Sequence, residues 1–163
     1  MRRIAMAVSA VAVVLLSASL FAQAKPNFSG KWALDMEKTM AANPNAGGGG
    51  GGGMRMGGGG GGMGGGATTI TMDAATLTIE RETPNGAQKQ VYKLDGSESK
   101  NMMMGRGGQT EQVSKATVEG NKVVIKTQGQ NGEQVTSWYM DGDFLVSERT
   151  TQNGAQKTYY KKA

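Results

Sequence analysis

Cysteine and histidine are both absent from this chain of 163 residues. Without cysteine there is no disulfide, so burial and hydrogen bonds alone must hold the fold together. Without histidine, the chain lacks the commonest metal ligand and the side chain that most often carries protons near neutral pH. The two absences also exclude Ser-His-Asp and Cys-His nucleophile systems. We therefore predict a protein with no catalytic residues, no cofactor and no enzyme activity.

Long charged runs and long apolar runs are also missing. The net charge is +5 and no basic cluster stands out, which predicts no nucleic-acid partner. The one apolar stretch, residues 4–16, follows Arg2 and Arg3 and precedes the small-x-small pattern Ala22-Gln23-Ala24. This pattern is typical of a cleaved signal peptide over residues 1–24, with an uncleaved anchor as the alternative. We expect an exported protein, periplasmic or extracellular, that does not span a membrane after cleavage.

Glycine is the residue in excess, with 27 copies, 16 of them in residues 47–66. Glycine loses the most entropy on ordering and has no side chain to bury, so we expect a disordered loop. Strand-like patterns on both sides place this loop within a single domain over residues 25–163. The loop has no Lys and Ser/Thr at the spacing of a phosphate-binding loop.

Three methionines interrupt that glycine-rich stretch. Thioethers are soft ligands that suit Cu(I), so weak copper binding by Met54, Met56 and Met63 is one hypothesis. No histidine or cysteine is present to complete a strong site, and the simpler interpretation is a low-complexity loop. We therefore predict no metal centre.

A short repeat runs through the rest of the chain, in residues 77–96, 123–142 and 145–162. Each copy has an apolar segment, an Asn-Gly pair and a second segment with an aromatic residue near its end. The first and third copies share Glu80/Glu148 and Arg81/Arg149, followed by the same run NGAQK. Charges facing each other across strands are ordinary surface pairs, so we assign these four residues to the scaffold.

The repeat and its turn signals predict an all-β fold. Asn-Gly and Asp-Gly pairs suit the tight turns of hairpins, and they separate short segments rich in β-branched and aromatic residues. We expect strands over residues 28–34, 67–72, 76–82, 88–94, 109–118, 122–128, 133–140, 143–151 and 155–162, with long loops at 47–66 and around 102–108. An antiparallel up-and-down meander of eight or nine strands can close into a barrel, and a two-sheet sandwich is the alternative.

The residues at the start of the first predicted strand match a pattern found in a known group of proteins. Asn27-Phe28-Ser29-Gly30-Lys31-Trp32 contains G-x-W ahead of a hairpin meander, and this resembles small exported bacterial lipocalin-like proteins of the calycin group. The resemblance implies a barrel in which Trp32 closes one end, with a basic side chain from the last strands, Arg149 or Lys161, packed across it. It also implies binding of a small apolar ligand.

Period-two counting gives the candidate ligand lining. The aromatic column of the repeat and its neighbours share one face, namely Trp138, Tyr92, Tyr160, Met140 and Ile125. An eight-stranded barrel can hold one small ligand or be filled by its own side chains. The leading hypothesis is thus non-catalytic binding of a small apolar molecule. The alternative is an envelope structural or interaction protein with a filled barrel; the sequence does not indicate an oligomeric state.

Overall fold

The computed structural model describes residues 25–44, 67–83, 86–105, 108–129, 132–151 and 154–163, and these form one antiparallel sheet with one short helix. The predicted signal peptide and the whole glycine-rich segment 47–66 lie outside the described residues. The elements, in chain order, are β1 (Gly30–Leu34), α1 (Met36–Ala42), β2 (Thr68–Met72), β3 (Thr76–Thr83), β4 (Gly86–Lys93), β5 (Asp95–Gly105), β6 (Gly108–Glu119), β7 (Lys122–Gly129), β8 (Gly132–Asp141), β9 (Phe144–Thr151) and β10 (Gly154–Lys162).

The sheet curls into a nearly closed barrel. Its strand order is β4-β3-β2-β1-β10-β9-β8-β7-β6-β5, so each strand pairs with its chain neighbours except that β4 does not pair with β5. β1 pairs with β2 on one side and with β10 on the other, which joins the two ends of the chain. The predicted all-β antiparallel meander is confirmed, and the single curled sheet decides for a barrel over a sandwich.

The structure has one strand more than the upper expectation. β5 begins directly after β4, although its sequence lacks the alternating β-branched and aromatic residues typical of strands. The expected long loop around Met102 to Gly108 is wrong, because β5 and β6 run to Gly105 and from Gly108 as the longest hairpin of the barrel. Backbone pairing with β6 determines the conformation of β5 despite its weak local preference.

The turns alternate between two ends of the barrel. One end, which we call the Asn-Gly end, has the connections β3–β4, β5–β6, β7–β8 and β9–β10. The opposite end, which we call the Asp-Gly end, has the connections β2–β3, β4–β5, β6–β7 and β8–β9. The glycines of the three Asn-Gly pairs, Gly86, Gly132 and Gly154, have φ of 110°, 106° and 108°. Such backbone is accessible to glycine and strained for other residues, which is why the repeat keeps a glycine there.

Side chains, not backbone, close the gap between β4 and β5. Within the described residues these two strands share no ladder. Instead, the Asn101 amide oxygen accepts from Val91 N at 2.7 Å and its amide nitrogen donates to Val91 O at 3.0 Å. Lys93 N donates to the Ser99 hydroxyl at 2.9 Å. One asparagine on β5 therefore satisfies both backbone groups of a β4 residue that a neighbouring strand would otherwise bind.

Helix α1 covers the outer face of the last strands. Asp35 caps it by accepting from Lys38 N, and the Thr39 hydroxyl accepts from Tyr159 N at 2.9 Å. Just past the helix, the Asn43 amide binds both backbone groups of Lys157. The helix thus protects the part of β10 that lies beyond its short pairing with β1.

Candidate functional site

The inward-facing side chains of the barrel change character along its length. On β2–β4 and β6–β10, every second residue faces inward, and this series is apolar toward the Asp-Gly end and polar toward the Asn-Gly end. We call the first set the apolar half. We call the second set the polar half; it consists of Thr68, Arg81, Gln88, Gln90, Gln112, Ser114, Thr127, Gln134, Thr136, Ser147, Arg149, Gln156 and Thr158.

The apolar half is filled by its own side chains. Leu77, Val123 and Leu145 are 0% exposed, and the rings of Trp138 and Tyr160 stack at 5.8 Å between centroids. A side chain that no water-sized sphere can reach has no water-sized void beside it. This half is therefore packed core, with Phe28 and Trp32 buried among the same cluster.

The polar half contains groups that can bind a ligand. Most of its glutamines, threonines and serines are half-buried, so part of each side chain remains accessible although it faces inward. Ser114 and Thr127 are buried and satisfy each other, with 2.8 Å between their hydroxyl oxygens. Amides and hydroxyls can both donate and accept hydrogen bonds, so this surface suits a molecule with polar groups.

Two arginines from the repeat stand on this inner surface. Arg81 follows Leu77 and Ile79 in the inward series of β3, and Arg149 follows Leu145 and Ser147 in that of β9. The Nε atoms of both are buried and have no hydrogen-bond partner in the part of the chain that the structure describes. Among the described residues, no carboxylate lies within ion-pair distance of either guanidinium.

The pKa values of Arg149 and of two nearby tyrosines are shifted in the barrel interior. Burial lowers the pKa of the Arg149 guanidinium below its ordinary value. Burial raises the pKa of Tyr92 to about 12, and the positive charge of Arg81 partly opposes that rise. The pKa of Tyr160 is raised by burial in the same way, again with Arg81 opposing. The Arg81 guanidinium is thus close enough to both buried phenols to act on their charge.

Each arginine is flanked by the same two residue types. Across β2, β3 and β4, Thr68 and Gln88 lie directly opposite Arg81 on its two sides. Across β8, β9 and β10, Thr136 and Gln156 lie directly opposite Arg149. Directly opposite residues of antiparallel strands share a face, so each arginine is the centre of an inward-facing Thr-Arg-Gln row.

The predicted lining residues are divided between core and rim. Trp138, Tyr92, Tyr160 and Ile125 belong to the buried inner cluster, as their shared face indicates. Met140 is different: it lies at the Asp-Gly end of β8 and is 37% exposed, so it is outside the enclosed cluster. Ligand binding by these residues stays a prediction.

The predicted closure by Trp32 involves a different cation from the expected one. The Trp32 indole donates to Phe28 O at 2.9 Å, and the Lys162 ammonium lies over its ring at 5.5 Å from the centroid. Lys162 is opposite Trp32 in the β1–β10 ladder, which explains the contact. Arg149 is opposite Gln156, six residues further up β10, and belongs to the polar half. Lys161 forms an ion pair with Asp35 on the outer face.

Several predictions concern residues or features elsewhere. Met54, Met56 and Met63 lie outside the described residues. In the ranges the structure describes, no three or more carboxylates cluster in a way that would hold a metal ion. The same ranges contain no helix long and apolar enough to cross a membrane.

The described strands form a nearly closed meander of ten antiparallel strands, the fold seen in solved fatty-acid-binding-protein barrels. Solved structures with this fold include a "REP1-NXSQ fatty acid transporter", with a TM-score of 0.56, 16% identity, and coverage of 83% of this chain and 95% of that one. Fatty-acid-binding protein 1 of Echinococcus granulosus has a TM-score of 0.56 and 16% identity, with coverage of 83% of this chain and 97% of that one. Human cRBP IV has a TM-score of 0.54 and 16% identity, with coverage of 84% of this chain and 98% of that one. No protein-family model and no curated protein sequence matches the chain.

Arg81 is the site residue that the sequence argument missed. Treating Glu80, Arg81, Glu148 and Arg149 alike as scaffold is correct for the glutamates, since Glu80 pairs with Lys89 and Glu148 with Lys157 on the outer face. Each arginine is the next residue along the strand after its glutamate, so it faces the opposite side of the sheet, toward the interior. The signal was in the sequence, because Arg81 is two and four residues from Ile79 and Leu77, and this places it on the core face.

Proposed function

We propose that this protein is a non-catalytic binding protein that holds one small amphipathic organic anion inside its barrel. The observation that carries the proposal is the pair of buried, unpartnered Nε atoms of Arg81 and Arg149. A buried hydrogen-bond donor without a partner is unfavourable, and a ligand that accepts from it would remove this cost. A carboxylate or similar anion is the natural partner of a guanidinium.

The adjoining apolar half gives such an anion a surface for its apolar part. Tyr92, Trp138 and Tyr160 lie at the boundary between the two halves, within the inner cluster next to the arginines. Similar barrels whose names refer to fatty-acid binding or transport support a carrier function for this fold. We propose that the protein acts after export, in the periplasm or outside the cell, which follows from the signal-like residues 1–24.

The second candidate is a filled-barrel structural or interaction protein. The complete burial of Leu77, Val123 and Leu145 favours it for the apolar half. It does not account for arginines in the polar half, because a barrel that only needed filling would be more stable with apolar residues at those positions. The copper hypothesis for Met54, Met56 and Met63 stays a prediction.

Calorimetric titration with decanoate and decanol tests the binding function. These ligands share an alkyl chain and differ in the anionic group. We expect saturable binding of decanoate and at least about tenfold weaker binding of decanol, since a charge-assisted hydrogen bond contributes about 1.5–3 kcal/mol. Equal affinities, or no saturable binding of either, would contradict the proposal.

A matched pair of variants separates the inner charges from the surface charges. Arg81→Met/Arg149→Met removes both charges from the polar half, whereas Lys89→Gln/Lys157→Gln removes two from the outer face of the neighbouring strands. Both arginines are replaced together because either one alone can hold a single carboxylate. We expect the first double variant to weaken decanoate binding by at least about tenfold and the second to leave it unchanged. Native mass spectrometry of protein from its own host gives an independent readout, since a retained ligand adds mass.

A further inference from the structure

The internal repeat duplicates the candidate anion site. Aligned on their Asn-Gly turns, the first and third copies place Arg81 and Arg149 at one position and Gln88 and Gln156 at another. The structure pairs each arginine directly with the glutamine of its own copy. A threonine from the preceding strand completes each row on the arginine's other side.

The second copy of the repeat shows that this position does not require a charge. In the second Asn-Gly copy the same positions are occupied by Thr127 and Gln134, which also lie opposite each other. Thr127 is buried and shares a hydrogen bond with Ser114. An uncharged pair thus fits the equivalent place in another hairpin. The barrel fold therefore does not explain the arginines of the other two copies, and their presence needs its own explanation.

The two rows lie on either side of strand β1, and their central arginines are on different strands. Arg81 is on β3 and Arg149 is on β9, and three strands, β2, β1 and β10, separate them on the shorter way round. Both face inward, and no carboxylate from the described residues is paired with either. The interior therefore carries two positive charges on different walls, and a ligand with one negative charge would neutralise only one of them.

We propose that the ligand has two acidic groups joined by a short apolar spacer, with one group held by each Thr-Arg-Gln row. This inference rests on the proposed binding function and specifies the ligand class. Each guanidinium binds one carboxylate, and the adjacent threonine hydroxyl and glutamine amide supply further donors. The apolar spacer lies against the boundary aromatics Tyr92, Trp138 and Tyr160.

The test is calorimetric titration with straight-chain dicarboxylates from adipate to sebacate and their monomethyl esters. Each half-ester keeps the spacer and one carboxylate and loses one charge. In at least one spacer length, we expect the diacid to bind at least about tenfold tighter than its half-ester, the contribution of one charge-assisted contact.

Variants connect that preference to the two rows. In Arg81→Met and in Arg149→Met we expect the diacid to bind no more tightly than its half-ester, because one anion subsite remains. The half-ester can use either row, so its affinity should change by less than about threefold in each single variant. The surface variants Lys89→Gln and Lys157→Gln should keep the full preference for the diacid, and thermal melting verifies that all four are folded.

The titration results can reject the two-headed ligand without rejecting the single-anion binding function. If half-esters bind as tightly as diacids at every spacer length, the two-headed ligand is wrong while the single-anion binding function stands. If one arginine variant removes all binding and the other changes nothing, a single subsite exists and the inference is again overturned. If no acid or ester of the series binds, and decanoate does not bind either, both proposals fail.

Discussion

The two halves of the barrel interior are formed by the same strands, and they differ in what those strands present. In the apolar half, inward-facing residues such as Leu77 and Leu145 are completely buried. In the polar half, four residues further along the same strands, Arg81 and Arg149 have buried Nε atoms with no partner. One half is complete without a ligand, and the other half has donors that the described chain does not satisfy.

This difference separates stability from binding along the barrel axis. A packed core contributes through the apolar surface it removes from water. A buried guanidinium Nε–H without a partner makes an unfavourable contribution that a bound anion can offset. Substitutions in the apolar half should therefore change the free energy of unfolding, and substitutions in the polar half should change ligand affinity.

The largest expected effect comes from removing a buried side chain in the apolar half. We expect Leu145→Ala to lower the free energy of unfolding by about 2–5 kcal/mol, since it removes buried methyl groups and leaves a cavity. Ser147→Ala, two residues further on the same face, should lower it by less than about 1 kcal/mol. Urea denaturation of the two variants checks this; similar losses would mean that the two halves are equally packed.

Alkaline pH should weaken the apolar half through Tyr92. Its pKa rises from 10.0 to about 12 in the fold, so between these values the unfolded chain loses a proton that the folded chain keeps. The free energy of unfolding therefore keeps its full value below pH 10 and falls by roughly 2–3 kcal/mol as the pH rises toward 12. Comparing the unfolding free energies of the native protein and Tyr92→Phe across this range tests the prediction, and parallel pH profiles would contradict it.

The gap between β4 and β5 should depend on Asn101. Replacing it in Asn101→Leu leaves Val91 N and O without their side-chain partners, at a cost of about 1–3 kcal/mol. Hydrogen exchange at the Val91 amide should accelerate markedly, while Lys100→Gln on the outer face serves as the control. An unchanged exchange rate at Val91 would show that the gap is held by other contacts.

Removal of the arginines should have the smallest effect on stability. In the absence of ligand, we expect Arg81→Met and Arg149→Met to leave the free energy of unfolding unchanged or to raise it by up to about 1 kcal/mol. An unpaired, partly buried charge is lost and apolar surface is gained in each variant. Thermal melting of ligand-free protein provides the measurement, and a clear loss of stability would assign these arginines to the scaffold.

Much of the fold could be predicted from the turn pairs and the alternation of apolar residues. The expected strands before and after β5 are all present, because their apolar residues have a period of two and end at Asn-Gly, Asp-Gly or Glu-Gly pairs. Strand β5 could not be predicted in this way. Ser99, Asn101 and Met103 occupy its inward positions, and they are suited to the gap with β4 rather than to an apolar core.

The candidate site was less accessible to sequence reasoning than the fold. Recurrence of Glu80, Arg81, Glu148 and Arg149 in the repeat indicated one shared role, yet neighbours along a strand face opposite sides of the sheet. Only the nearly closed barrel reveals that the two arginines face one interior and that none of the described carboxylates is paired with them. Likewise, the cation over Trp32 depends on the β1–β10 register, which places Lys162 rather than Arg149 next to it.

The most direct test of a filled half beside an anion-binding half is a ligand titration followed by NMR. The signals to record are the Nε–Hε groups of Arg81 and Arg149 and the methyl groups of Leu77, Val123 and Leu145. On adding sebacate, we predict saturable shifts of both arginine signals and little change in the three methyl groups. Large methyl shifts with unchanged arginine signals would place the ligand in the apolar half and contradict the account.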